Sequence, residues 1–196
     1  NNLRNIGLGL LSYSELHGNY YPFVPEKGKL AVAGIYGPTL LEMGLVSDES
    51  VLHCPADGQT VDAEPCSIPK RCDVLAATGR RLKTLQNAMG GSYAYAVGYV
   101  ENGEYHGQRY EPSRGLAFPL LADAPGCSVR GLPSTNHDGT GQNVFFDDGH
   151  VDFLAECTDC VTDDHIYLNT NDVVGPGVGM YDAVLGGSGA CVDLFE

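Results

Sequence analysis

The chain has 196 residues, 43% of them hydrophobic, with 26 glycines and no tryptophan; this suits one loop-rich globular domain and argues against a disordered tail. Its formal net charge of −14, from 25 acidic and 11 basic residues, argues against a nucleic-acid partner and against anionic membrane surfaces, because both need clustered Lys and Arg. No run of apolar residues is long enough to span a membrane.

Residues 1–18 place Leu3, Ile6, Leu10, Tyr13 and His17 at helical spacing, and Leu8, Leu11 and Leu16 widen the face. Gly18 followed by Asn19 supplies a stop signal. The periodic pattern begins almost at once, so the helix is expected to continue from a segment upstream. Tyr20-Tyr21-Pro22 and Phe23-Val24-Pro25 read as an extended exit. Residues 38–44 predict a short helix, 47–50 a turn into Val51-Leu52, and Cys54-Pro55-Ala56-Asp57-Gly58 a turn pinned by a cysteine. A helix interrupted by Gly79 is expected over 73–89. Lys70, Arg71, Arg80, Arg81 and Lys83 beside it are either a solvated face or a partner patch.

After Gly90-Gly91 the pattern turns to strands. Residues 92–100 alternate and are rich in β-formers; 115–123 form a second strand with Pro119 marking an edge or irregularity. Residues 142–147 and 150–154 flank Asp148-Gly149, which predicts a type I′ hairpin. The tail reads as ordered loops with one short strand at 165–168. The expected domain is therefore single and α+β. It has a helix at 1–18, an αβ-loop region at 19–91, an antiparallel sheet of about three or four strands at 92–155, and a loop-rich tail at 156–196.

Seven cysteines, at 54, 66, 72, 127, 157, 160 and 191, point to disulfides in an exported protein or to metal thiolates. Cys157 and Cys160 form the lone Cys-x-x-Cys, with no second pair to complete a four-cysteine zinc site, which favours disulfides. Cys54, Cys66, Cys72, Cys157 and Cys160 are the candidates, with the connectivity open.

His137, Asp148 and His150 are the right types for zinc or iron. Asp148 belongs to the hairpin tip, however, and His150 to one face of the next strand, so convergence on one ion is not expected. His137 is expected to bond backbone in its glycine-rich loop. A Ser or Cys nucleophile lacks its setting: there is no Gly-x-Ser-x-Gly elbow, and His53 and Cys54, being adjacent on extended chain, face apart. Asp159, Asp163, Asp164, Asn169, Asn171 and Asp172 gather hard oxygen donors suited to calcium, although their spacing is not that of an EF-hand. The alternative for this stretch is a solvated acidic loop held by Cys157 and Cys160 or other bridges.

Several stretches, in order, carry a family likeness. They are residues 1–10, Asn19-Tyr20-Tyr21-Pro22, Val51-Leu52-His53-Cys54-Pro55-Ala56-Asp57, Ser92-Tyr93-Ala94-Tyr95 and Pro119-Leu120-Leu121-Ala122-Asp123. Last comes His137 with ten residues between it and Asp148-Gly149-His150-Val151. The chain resembles the pilin-like pseudopilins of bacterial type II secretion, in the family with a prepilin-type N-terminus and a C-terminal His-x(9 or 10)-Asp-Gly signature. The likeness spans 1–154 and does not cover the tail. The resemblance implies a truncated spine helix packed on the sheet, with disulfide-stabilised loops. It also implies a non-catalytic fibre subunit at the cell envelope or outside it, with copies of itself and other pilin-like subunits as partners. Membrane contact would come only through an absent N-terminal apolar helix, and a calcium-bound loop near the sheet is one known variation of the family. The alternative is a secreted metal-dependent hydrolase or ligand-binding module using His137, Asp148 and His150.

Overall fold

The computed structural model describes residues 1–56, 67–126, 133–159 and 162–192. The fold is α+β. Helix α1 (Asn2–Leu16) buries Leu3, Ile6, Gly7, Gly9, Leu10 and Ser14; Leu3, Ile6 and Leu10 follow the sequence period, whereas Leu8, Leu16 and His17, expected to extend that face, are exposed. It ends where Gly18 and Asn19 both turn left-handed, at φ 63° and 70°, and the Asn19 amide donates to the Ser14 carbonyl. Two glycines bring α1 close to its neighbours. A Cβ on Gly7 would overlap the Phe145 ring, and one on Gly9 would press on the Leu45 carbonyl and Val46.

Helix α2 (Tyr36–Glu42) starts two residues earlier than the sequence period places it and is followed by a short 3-10 turn, Glu49–Leu52. The expected helix over 73–89 is two helices, α3 (Arg71–Ala76) and α4 (Gly79–Ala88). The break falls at Ala77-Thr78, and Gly79 follows at φ 56°, a conformation glycine adopts without a steric penalty. Arg80, Arg81 and Lys83 are exposed on α4, and Arg71 pairs with Glu42.

Five strands form the main sheet, in the order β6-β5-β4-β1-β8, all antiparallel. They are β1 (Tyr93–Ala96), β4 (Pro119–Asp123), β5 (Gln142–Phe146), β6 (Val151–Leu154) and β8 (Leu185–Gly186). The last comes from the tail that sequence reading leaves as loops. A second, small sheet holds β2 (Tyr99–Glu101), β3 (Glu104–His106) and β7 (Gly177–Val178). The strand expected over 92–100 is thus split at Val97-Gly98, where chain must leave one sheet for the other. No strand forms at 165–168; His165 makes one isolated bridge to Thr158. As Pro119 foreshadows, the β4–β5 register shifts between Pro119 and Leu121.

The β5–β6 hairpin exists, but its turn is not type I′. The Gly149 amide donates to the Phe146 carbonyl and the Phe146 amide to the His150 carbonyl, and of the Asp148-Gly149 pair only Gly149 is left-handed, at φ 92°. The loop is Asp147-Asp148-Gly149, a type I turn closed by a glycine bulge. The extra residue lets Asp147 fold inward, where its carboxylate accepts the Phe118 amide at 2.7 Å.

Without tryptophan, tyrosines fill the core. Tyr36, Tyr95 and Tyr167 are fully buried and donate to the carbonyls of Gly90, Pro22 and Asp123 respectively. Among the described residues no disulfide forms, which corrects the expectation of bridged loops. Cys72 and Cys191 are exposed thiols, Cys157 is a buried one, and Cys54 is buried beside a histidine. Cys66, Cys127 and Cys160 lie outside the described residues. Side-chain bonds to backbone tie loops to this core, as the three tyrosines above show.

Candidate functional site

One end of the main sheet gathers side chains that are far apart in sequence. Cys54 follows the 3-10 turn Glu49–Leu52, and the Ser92 amide, donating to the Leu52 carbonyl, fixes this turn at the start of β1. Gly91, left-handed at φ 60°, allows the close approach: a Cβ there would collide with the Leu52 carbonyl. The Asn2 side chain donates to the His53 carbonyl and ties the start of α1 to the same place. Asp123 ends β4, directly opposite Tyr93 at the start of β1.

His137 arrives from the turn Asn136–Gly139. There His137 and Asp138 are both left-handed, at φ 56° and 58°, a region that asparagine, aspartate and histidine tolerate better than other side chains. The His137 side chain does not bond backbone in its own loop, as the sequence suggests. Its Nε2 lies 3.2 Å from Asp123 Oδ2, 3.0 Å from Asn143 Nδ2 and 3.9 Å from Cys54 Sγ. Among the described residues, Cys54, Asp123 and His137 are the one set of three His, Cys, Asp or Glu groups whose ligand atoms all lie within 4.8 Å of one another.

Asp123 is almost wholly buried, at 1% exposure. Its Oδ2 accepts both the backbone amide and the side-chain Nδ2 of Asn143, at 2.8 and 2.9 Å, and Oδ1 accepts Asn136 Nδ2 at 3.4 Å. The Tyr93 hydroxyl hydrogen-bonds with Cys54; burial above all, then the nearby Cys54 and Asp123, keeps this phenol protonated far above its ordinary range. The set opens on a cavity of about 580 Å³ that also reaches Asn1, Arg4, Asn143 and Val151.

A Cys-His-Asp relay does not fit this geometry. A relay needs the nucleophile on one ring nitrogen and the orienting carboxylate on the other. Here sulfur and carboxylate both address Nε2, so all three groups aim at one point.

No family model, curated protein or solved structure matches this chain.

His137, Asp148 and His150 do not form one cluster, as their places on the hairpin lead one to expect. His137 joins Asp123 and Cys54, whereas Asp148 and His150 pair with each other at the exposed hairpin tip, and the His150 ring stacks on Phe146 with centroids 4.4 Å apart. The acidic stretch uses its oxygens locally. Asp159 Oδ2 accepts the Thr162 hydroxyl, Asp164 Oδ2 the Ala183 amide, and Asn169 Oδ1 the amides of Asn171 and Val173. Asp163 and Asp172 are exposed left-handed turn residues, at φ 56° and 60°. Cys157 is no reactive thiol: burial, then the Glu156 charge, pushes it up to about 11. Sequence reading placed Asp123 in a family motif without giving it a role at a site, and took Cys54 for a bridge half. No local spacing links positions 54, 123 and 137; the one available signal was that an aspartate ends an apolar strand.

Proposed function

We propose that this chain is a non-catalytic structural subunit of a pilus-like or pseudopilus-like fibre, carried at the cell envelope or outside it, with copies of itself and related subunits as partners. The observation that carries this reading is the two-sidedness of α1. One face lies so tightly on β4 and β5 that Gly7 touches the Phe145 ring. The other leaves Leu8 and Leu16 in solvent, at 46% and 68% exposure. On the outer side of a helix already fixed to its own sheet, these two leucines, set among Arg4, Asn5, Ser12 and Glu15, suit packing against the same helix of a neighbouring copy. The in-order motifs over 1–154 support the same reading. No helix of the described residues is long and apolar enough to cross a membrane.

The test is made in the native cell. Leu8→Glu and Leu16→Glu variants should fold with stability within about 0.5 kcal/mol of the parent, as exposed substitutions do. They should also remove the protein from sheared surface filaments seen by electron microscopy. A protein found only as free monomer, or filaments indifferent to both charges, would end the fibre reading.

A further inference from the structure

We infer that Cys54, Asp123 and His137 bind one Zn²⁺ ion through thiolate, carboxylate and imidazole Nε2, with a solvent molecule from the adjoining cavity as the fourth ligand. This site stands independently of the fibre reading and differs in two of its three residues from the triplet that sequence suggests.

Distances come first. Zinc bonds of about 2.0–2.3 Å in a tetrahedron place nitrogen about 3.3 Å from oxygen and about 3.6 Å from sulfur. The observed separations from Nε2 are 3.2 Å to Asp123 Oδ2 and 3.9 Å to Cys54 Sγ, with all three atoms within 4.8 Å. The nitrogen–oxygen edge already has the length of a zinc tetrahedron, and the sulfur has to move inward to complete the other two.

Charge points the same way. Asn143 Nδ2 donates to Asp123 Oδ2 and lies 3.0 Å from His137 Nε2, and Nε2 faces the same carboxylate oxygen across 3.2 Å. Such a gap holds a proton or a cation. A carboxylate at 1% exposure is costly to bury in its charged form without a positive partner, and the thiol beside it becomes a thiolate only with a cation at hand. A divalent ion offsets both.

The donor set selects the metal. Calcium and magnesium want oxygen alone; a thiolate with an imidazole favours zinc. The surroundings are those of a held ligand set. Asn143 and Asn136 fix the Asp123 carboxylate, the Tyr167 hydroxyl grips the Asp123 carbonyl at 2.6 Å, and the Tyr93 hydroxyl bonds the sulfur. The three ligands come from a turn after 3-10 helix, a strand end and a loop, so the ion would join segments that share no local contact in sequence.

The experiment uses the reduced, chelator-stripped protein titrated with Co²⁺ and then Zn²⁺. One equivalent of Co²⁺ should give the strong visible bands of four-coordination and a near-ultraviolet thiolate charge-transfer band, both removed by Zn²⁺. Cys54→Ser, Asp123→Asn and His137→Gln should each weaken Zn²⁺ binding by at least about 100-fold, and Cys54→Ser should abolish the charge-transfer band. A Cys72→Ser/Cys191→Ser protein should bind as the parent does. X-ray absorption of the zinc-loaded parent adds a measurement that needs no variant: one sulfur at about 2.3 Å and lighter ligands at about 2.0–2.1 Å. A six-coordinate cobalt spectrum, a shell with two or more sulfurs, no binding by the parent, or undiminished binding in Cys54→Ser would each overturn the assignment.

Discussion

Two acidic regions of this protein behave in opposite ways. The stretch from Asp159 to Asp182 is dense in carboxylates, yet each described oxygen bond there goes to a nearby hydroxyl or amide. Asp182 Oδ2 alone takes the Thr170 amide, the Thr170 hydroxyl and the Val178 amide, at 3.0, 2.8 and 2.6 Å. The Asp123 corner is sparse, yet it combines a carboxylate, a thiol and an imidazole from segments 54, 123 and 137. Density of like donors builds loops by satisfying backbone; convergence of unlike donors from distant segments builds a site.

The largest effect that would test this contrast sits beside the first region. Arg114 is buried on the Phe118 ring and lines a cavity of about 500 Å³ with Tyr181 and Asp182; its nearest carboxylate is Asp147, 3.5 Å away. Asp147→Ala should destabilise the fold by about 4 kcal/mol, because it leaves a buried guanidinium uncompensated. Chemical denaturation with an unchanged slope would show it. Asp182→Ala should cost about 3 kcal/mol by orphaning three donors. This variant should still gain melting temperature on adding Zn²⁺.

Asp123→Asn should reverse the pattern. It keeps the carboxylate shape but turns one acceptor into a donor facing an asparagine amide, so the metal-free protein should lose about 2 kcal/mol, while the rise in melting temperature with Zn²⁺ disappears. Should Asp182→Ala, and not Asp123→Asn, lose the response to Zn²⁺, the contrast between the two regions fails.

The smallest effect is at the hairpin tip. Partial burial raises the Asp148 carboxyl, but the His150 amide and ring outweigh it and hold the group below the usual carboxylate range. A depressed folded value stabilises above the ordinary carboxylate pKa, and this contribution is lost as pH falls through the folded one. An NMR titration should show Asp148 titrating low, and His150→Ala should return it towards normal with little change in melting temperature, since both groups are about half exposed.

The legible parts of the sequence were those with a strong local period. α1 declared its buried face through Leu3, Ile6 and Leu10; β1, β4 and the β5–β6 hairpin declared themselves through β-formers and turn residues. β8 was hidden because Leu185-Gly186 is only two residues long and pairs with β1 from nearly a hundred positions away. The hairpin turn was misread because Asp147 looks like a strand end, whereas its carboxylate has an amide partner on β4's approach. The site was illegible for the reason that makes it a site. Its residues share no spacing, and only the closure of turn, strand and loop brings them together.

The contact between Gly7 and Phe145 has a mechanical consequence. With no spacer side chain, α1 cannot roll or slide on the sheet without driving the ring out of its slot. A tug along the helix axis would pass to β5, which is bonded on both sides by β4 and β6. An outer strand can be peeled from its one neighbour a bond at a time, whereas β5 is held along both edges, so a load passed on by this helix reaches the sheet through a strand with two neighbours.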